Sequence, residues 1–164
     1  MNGVPQTTVL EPVPRKECSW MPEKAPVETA LALDGAEGCI ADARARTVEF
    51  LARAHTDHGL PVSARALELS QLVVSELVTN SLKYAPGPVM LELRAAGDWL
   101  EITVWDTEPA LPTARRADAG RVGQHGLEIV MAVADGFEAH PEPVGKRITA
   151  RLTLLDPPAP GLGG

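Results

Sequence analysis

The chain has 164 residues, of which 45% are apolar and 23% charged, and a formal net charge of −7. That suffices for one domain with a buried core, and an acidic balance without a basic cluster speaks against direct nucleic-acid binding. No apolar run approaches the ~20 residues of a membrane span and the N-terminus carries no charged-then-apolar signal region, so a cytoplasmic protein with no membrane partner is expected.

Residues 1–27 carry Pro5, Pro12, Pro14, Pro22 and Pro26. Proline at this density continues neither a helix nor a central strand. A loosely ordered arm is predicted, with Cys18-Ser19-Trp20-Met21 apolar enough to dock. Cys18 and Cys39 make no CxxC and no metal spacing, so reduced, structurally incidental thiols are expected. The folded domain is placed at 28–155 and a flexible tail at 156–164, rich in Pro and Gly.

Thr29 to Leu33 reads as a short strand stopped at Asp34-Gly35. A helix follows from about Gly38 to His58 and ends at Gly59, a residue suited to the left-handed conformation after a helix. His55 and His58 lie one turn apart near that end. They imitate a metal pair, but a zinc site needs three or four protein ligands and no third is in view.

The longest helical pattern runs from about Ala64 to Tyr84, with Ser63 as its N-cap after Pro61 and Pro86-Gly87-Pro88 beyond it. At about 100° per residue, Asn80 lies about 40° round from Glu76 and Lys83 about 20° the other way. Leu67, Val74, Val78 and Ser81 fall opposite, while Leu72 and Val73 flank the polar stripe. A helix apolar nearly all round is buried, so a carboxylate, an amide and an ammonium along one stripe point to a polar cavity. A plain surface Glu–Lys pair is the alternative.

Two strands with period-two alternation follow, Val89 to Ala95 and Trp99 to Asp106, joined by Gly97-Asp98. Alternation places Asp106 on the core side with Leu100, Ile102 and Val104. A buried carboxylate needs hydrogen-bond donors, and an exocyclic amine of a ligand is one natural donor. A strand-end aspartate capping its own turn through Thr107 is the other reading. Residues 107–122 lack periodicity, and a structureless loop this long in a small domain is usually functional or disordered. It runs into Gly123-Gln124-His125-Gly126 and a helix from Leu127 to about Ala134. Glycines there let the backbone approach an anion at a helix N-terminus, although a glycine turn that merely starts a helix looks the same. A last strand, Arg147 to Leu154, puts Ile148, Ala150, Leu152 and Leu154 on one face. The order of elements predicts an α+β fold: a two-layer α/β sandwich with a mixed, mostly antiparallel sheet and helices on one face.

Glu76-Leu77-Val78-Thr79-Asn80 with Lys83-Tyr84-Ala85, Val104-Trp105-Asp106, Gly123-Gln124-His125-Gly126-Leu127 and Gly145-Lys146-Arg147-Ile148 come in the order and spacing of the Bergerat-fold (GHKL) ATPases. Over about residues 29–155 the chain resembles their anti-sigma-factor serine kinase branch and its small actinobacterial relatives. The resemblance implies ATP and Mg²⁺ as cofactors. It implies that Asn80 holds the metal bridging the triphosphate, that Glu76 is the general base for a protein hydroxyl, and that Asp106 accepts from the adenine amine. Gly123, Gln124, His125, Gly126 and Leu127 would pack on the phosphates, 107–122 would be the lid, Lys83 would stand near the phosphates, and Thr149 is the threonine the last segment offers the nucleotide. The implied partner is a sigma factor or anti-sigma antagonist, and relatives often pair as homodimers.

Two departures stand out. The family's Asp-x-Gly-x-Gly reads Asp106-Thr107-Glu108-Pro109-Ala110 here, and its Gly-Thr reads Gly145-Lys146. A kinase that phosphorylates a protein antagonist is therefore one expectation, supported by Glu76. A non-catalytic interaction module that sequesters a regulatory partner is the other, supported by the missing glycines.

Overall fold

The computed structural model describes residues 25–84, 87–107 and 125–157; the proline-rich arm up to residue 24, most of the loop before residue 125 and the tail beyond 157 lie outside the described residues. In chain order the elements are β1 (Val27–Leu33), α1 (Cys39–His58), α2 (Ala64–Tyr84), β2 (Val89–Ala96), β3 (Trp99–Asp106), α3 (His125–Val133), β4 (Gly136–Pro141) and β5 (Lys146–Thr153). The strands form one sheet in the order β1-β2-β3-β5-β4. Where the sequence leaves a mixed sheet open, every pairing among the described strands is antiparallel.

The helices end where local chemistry tells them to. Gly59 takes the left-handed conformation at φ 67°, and its N–H reaches the carbonyls of Ala54 and His55, which satisfies groups the helix leaves open. His55 donates from Nδ1 to the Leu60 carbonyl at 2.9 Å, a local structural bond that accounts for this ring. Ser63 caps α2 as expected, its Oγ accepting from the Ala66 N–H at 3.0 Å. Gly97, at φ 58°, turns the β2–β3 hairpin, and Ala96 pairs with Trp99 across it.

Alternation along the strands separates two faces. Leu91, Leu93, Ala95, Leu100, Ile102, Val104, Ile148, Ala150 and Leu152 are buried together with Val73, Val74, Leu77 and Val78 of α2 and Leu51 and Ala54 of α1. Each of the larger side chains contributes about 1.5–3 kcal/mol by leaving water. Helix α1 packs on β1 and β2, α2 on β2, β3 and β5, and α3 on α2 and β4. The opposite face is polar: Arg94 pairs with Glu28 and Arg151 with Glu101, and Arg147 lies over the Trp105 ring. The result is a two-layer sandwich.

Strand β4 is the element the sequence reading lacks. It runs from Gly136 to Pro141, is half to fully exposed, and among the described residues pairs with β5 alone, at the edge of the sheet. An edge position tolerates proline and a weak apolar pattern, so periodicity carries almost no signal there.

Candidate functional site

The strand register gathers several chain ends at one end of the sheet. Leu33 pairs with Val89, Met90 with Trp105, and Asp106 with Lys146. The C-terminal turn of α2 reaches the same end. A Cβ placed on Gly35 would touch Leu82 at 3.4 Å, and one on Gly87 would touch Thr107 Oγ1 at 3.5 Å. The last turns of α2 and the end of β3 are thus neighbours, with Asp106 on the helix-facing side beside Ile102 and Val104, 5% exposed.

Helix α2 carries Glu76, Asn80 and Lys83 toward this end. Asn80 is buried, at 8% exposure, among Leu77, Val78 and Ser81; Glu76 is half-buried and Lys83 exposed. An amide kept from water among apolar neighbours needs polar partners, so its place one turn from Glu76 is informative. Glu76 also meets α3. A Cβ built on Gly126 would collide with Glu76 Oε2 and lie 3.4 Å from its Cδ. Gly126 is the second residue of α3, where backbone N–H groups lack helical partners and the helix dipole is positive. A carboxylate and a helix start therefore meet here, one turn of α2 from the buried amide of Asn80.

At the strand end, Lys146 donates to Asp106 Oδ1 at 3.0 Å, and its Nζ lies 2.9 Å from Oδ2. The two side chains are 2% and 1% exposed. Gly145, at φ 82°, presses on the same spot: a Cβ there would strike the Asp106 carbonyl oxygen and come within 2.7 Å of Thr107 Cα.

The structure thus brings Glu76, Asn80 and Gly126 into one region, with Asp106 at the same end of the molecule. Leu127 is half-buried against the core. His125 opens α3. Gly123, Gln124 and the lid expected at 107–122, apart from Thr107, lie outside the described residues. Thr149 is a correction. It pairs with Thr103 in the β3–β5 ladder, and the two hydroxyls meet at 3.2 Å on the face away from the helices. It sits three residues from Lys146, so strand alternation turns it from the site. Lys146 is the residue the sequence reading missed as a site member. The signal was present, because it falls on the same parity as Ile148, Ala150 and Leu152, and a lysine on an apolar strand face is rarely buried unless paired.

Among the described residues no group of three or more His, Cys, Asp or Glu is placed to hold a metal ion, and no helix is long and apolar enough to cross a membrane. Cys39 is a buried free thiol.

An antiparallel sheet backed by helices on one face, with a carboxylate of the central helix against the start of α3, defines an α+β sandwich. The family model described as "Histidine kinase-, DNA gyrase B-, and HSP90-like ATPase" matches residues 65–156, and the chain belongs to this family, which implies ATP binding. No curated protein matches the chain. Two features would suit such a ligand: buried Asn80 has a neutral side-chain oxygen of the kind that suits a hard cation, and the start of α3 at Gly126 lies against the Glu76 carboxylate. At the base end, Asp106 is already paired with Lys146.

Proposed function

We propose that this protein is a Mg-ATP-dependent serine/threonine kinase of the anti-sigma-factor type, which binds a sigma factor or similar regulator and phosphorylates a small protein antagonist. The observation that carries the reading is the close approach of Glu76 and Gly126, which sets a base beside a helix start, a place suited to phosphates. Bound Mg-ATP supplies the γ-phosphoryl group and the cation that offsets charge on its oxygens. Asn80 holds the cation through its side-chain oxygen. Glu76 accepts the proton of the incoming serine or threonine hydroxyl, the role of a positioned general base. The N–H groups at the start of α3 and the exposed Lys83 draw the phosphates to that end.

Isothermal titration with Mg-ATP and Mg-ADP tests the binding step, and heat with neither would refute it. Transfer of labelled γ-phosphate to a candidate antagonist, compared between the natural chain and Glu76→Ala, tests the chemistry; unchanged labelling in the variant removes Glu76 as base. A second reading, nucleotide-assisted sequestration of a partner without turnover, is favoured by the Lys146–Asp106 pair and by the absence of glycine after Asp106. It predicts binding of Mg-ATP with no labelled product.

A further inference from the structure

We propose that Lys146 is an internal competitor for the nucleobase. Its ammonium fills the position on Asp106 that an exocyclic amine would take, so the chain selects nucleotides by their phosphates and metal rather than by their base. The inference rests on the nucleotide-binding reading above and deepens it by stating which part of the ligand the site reads.

Three observations carry it. The pairing is fixed by backbone register. Lys146 stands directly opposite Asp106 at the end of a ladder that continues without interruption to Trp99 and Thr153. A slip of one residue would turn the whole apolar face of β5 outward, so the pair is held by the entire strand. Gly145 enters the strand tightly beside the pair: at φ 82° its backbone lies so close to that of Asp106 and Thr107 that a Cβ would strike them. Finally, the pair is buried. Lys146 Nζ donates to Oδ1 at 3.0 Å and lies 2.9 Å from Oδ2 as an ion pair, and only 1% of the carboxylate side chain is open to water.

An adenine amine is a neutral donor, whereas the ammonium is charged and forms the stronger bond to a carboxylate. For the amine to win, a buried ion pair must break and leave a cation without its partner, which is costly. An uncommitted aspartate would favour adenine, which offers a donor, over guanine, which offers a carbonyl at the same ring position. With Oδ1 taken by the Lys146 ammonium and the charge of the carboxylate offset, that distinction is weakened, and the ammonium itself can donate to a carbonyl. Thr149 provides no substitute contact, because it lies on the other face against Thr103.

The test is isothermal titration of the full chain with Mg-ATP, Mg-GTP and Mg-tripolyphosphate, repeated with Lys146→Thr. The expected result for the natural chain is GTP binding within about tenfold of ATP, or tighter, a difference readily resolved between dissociation constants. In Lys146→Thr, ATP affinity should rise by about tenfold, the ATP-to-GTP ratio should rise with it, and tripolyphosphate should be unchanged. A natural chain that prefers ATP by more than that margin overturns the proposal, as does a folded Lys146→Thr with an unaltered ratio. If that variant fails to melt cooperatively, the ratio in the natural chain decides alone. Tripolyphosphate separates the two levels: its binding alongside strong adenine preference defeats only the role of Lys146, whereas no binding by any of the three ligands defeats the nucleotide-site reading and this inference together.

Discussion

Gly126 lies against the carboxylate of Glu76 so closely that a methyl group on its Cα would overlap Oε2. This contact joins the central helix to the start of α3 and sets the spacing between the proposed base and the helix N-terminus. Replacing Gly126 by alanine would favour the helix by up to about 1 kcal/mol, while the overlap falls on the movable end of a glutamate. Gly126→Ala should therefore change stability by less than about 1 kcal/mol in either direction, yet weaken Mg-ATP binding measurably. A variant that binds Mg-ATP as well as the natural chain would show that this approach has no part in the site.

Asn80 is expected to act through the cation. At a hundredfold excess over its dissociation constant, Mg-ATP should stabilise the natural chain by about 2.7 kcal/mol through mass action. Asn80→Ala should lose the Mg²⁺-dependent part of that gain and keep whatever ATP gives in the presence of a chelator. Thermal melts with and without Mg²⁺ measure both parts. An undiminished Mg²⁺ effect in the variant would exclude Asn80 as the metal ligand.

The Asp106–Lys146 pair should matter to stability in an asymmetric way. Removing one partner leaves a buried charge uncompensated, and Lys146→Ala should cost about 3–5 kcal/mol. The double variant Asp106→Leu with Lys146→Met should recover most of that loss, because apolar groups of similar volume often replace a buried ion pair without penalty. Urea unfolding of both variants decides. A single variant costing less than about 1 kcal/mol would place the pair in the class of exposed salt bridges.

Gly145 and Gly97 provide an internal comparison. Both have positive φ, at 82° and 58°, but a Cβ at Gly97 meets nothing within 4 Å while one at Gly145 runs into the backbone of Asp106 and Thr107. Gly97→Ala should cost about 1–2 kcal/mol, the strain of the left-handed conformation alone. Gly145→Ala should cost clearly more, since backbone cannot move aside as a flexible side chain can. Equal losses in denaturant melts would mean that the β5 entry is looser than its packing indicates.

Much of this molecule was legible in residue order because its signals are local. The caps Ser63 and Gly59, the 3.6-residue pattern of α2, the turn at Gly97 and the alternation that turns Asp106 inward each depend on a few neighbouring residues. The same alternation could have excluded Thr149, which lies one residue out of phase with the buried set of β5. Other features exist only once distant segments meet. Strand β4 is a strand because β5 offers it an edge, and its own residues hardly ask for one. That Gly126 abuts Glu76 depends on how α3 packs against α2. The charge on Lys146 is visible in the chain, but which acid it meets was settled by an antiparallel register spanning forty positions of sequence. Hydrogen-bonded turns and periodic faces are written within a few residues of themselves, whereas an ion pair in the interior is chosen by whichever strands align.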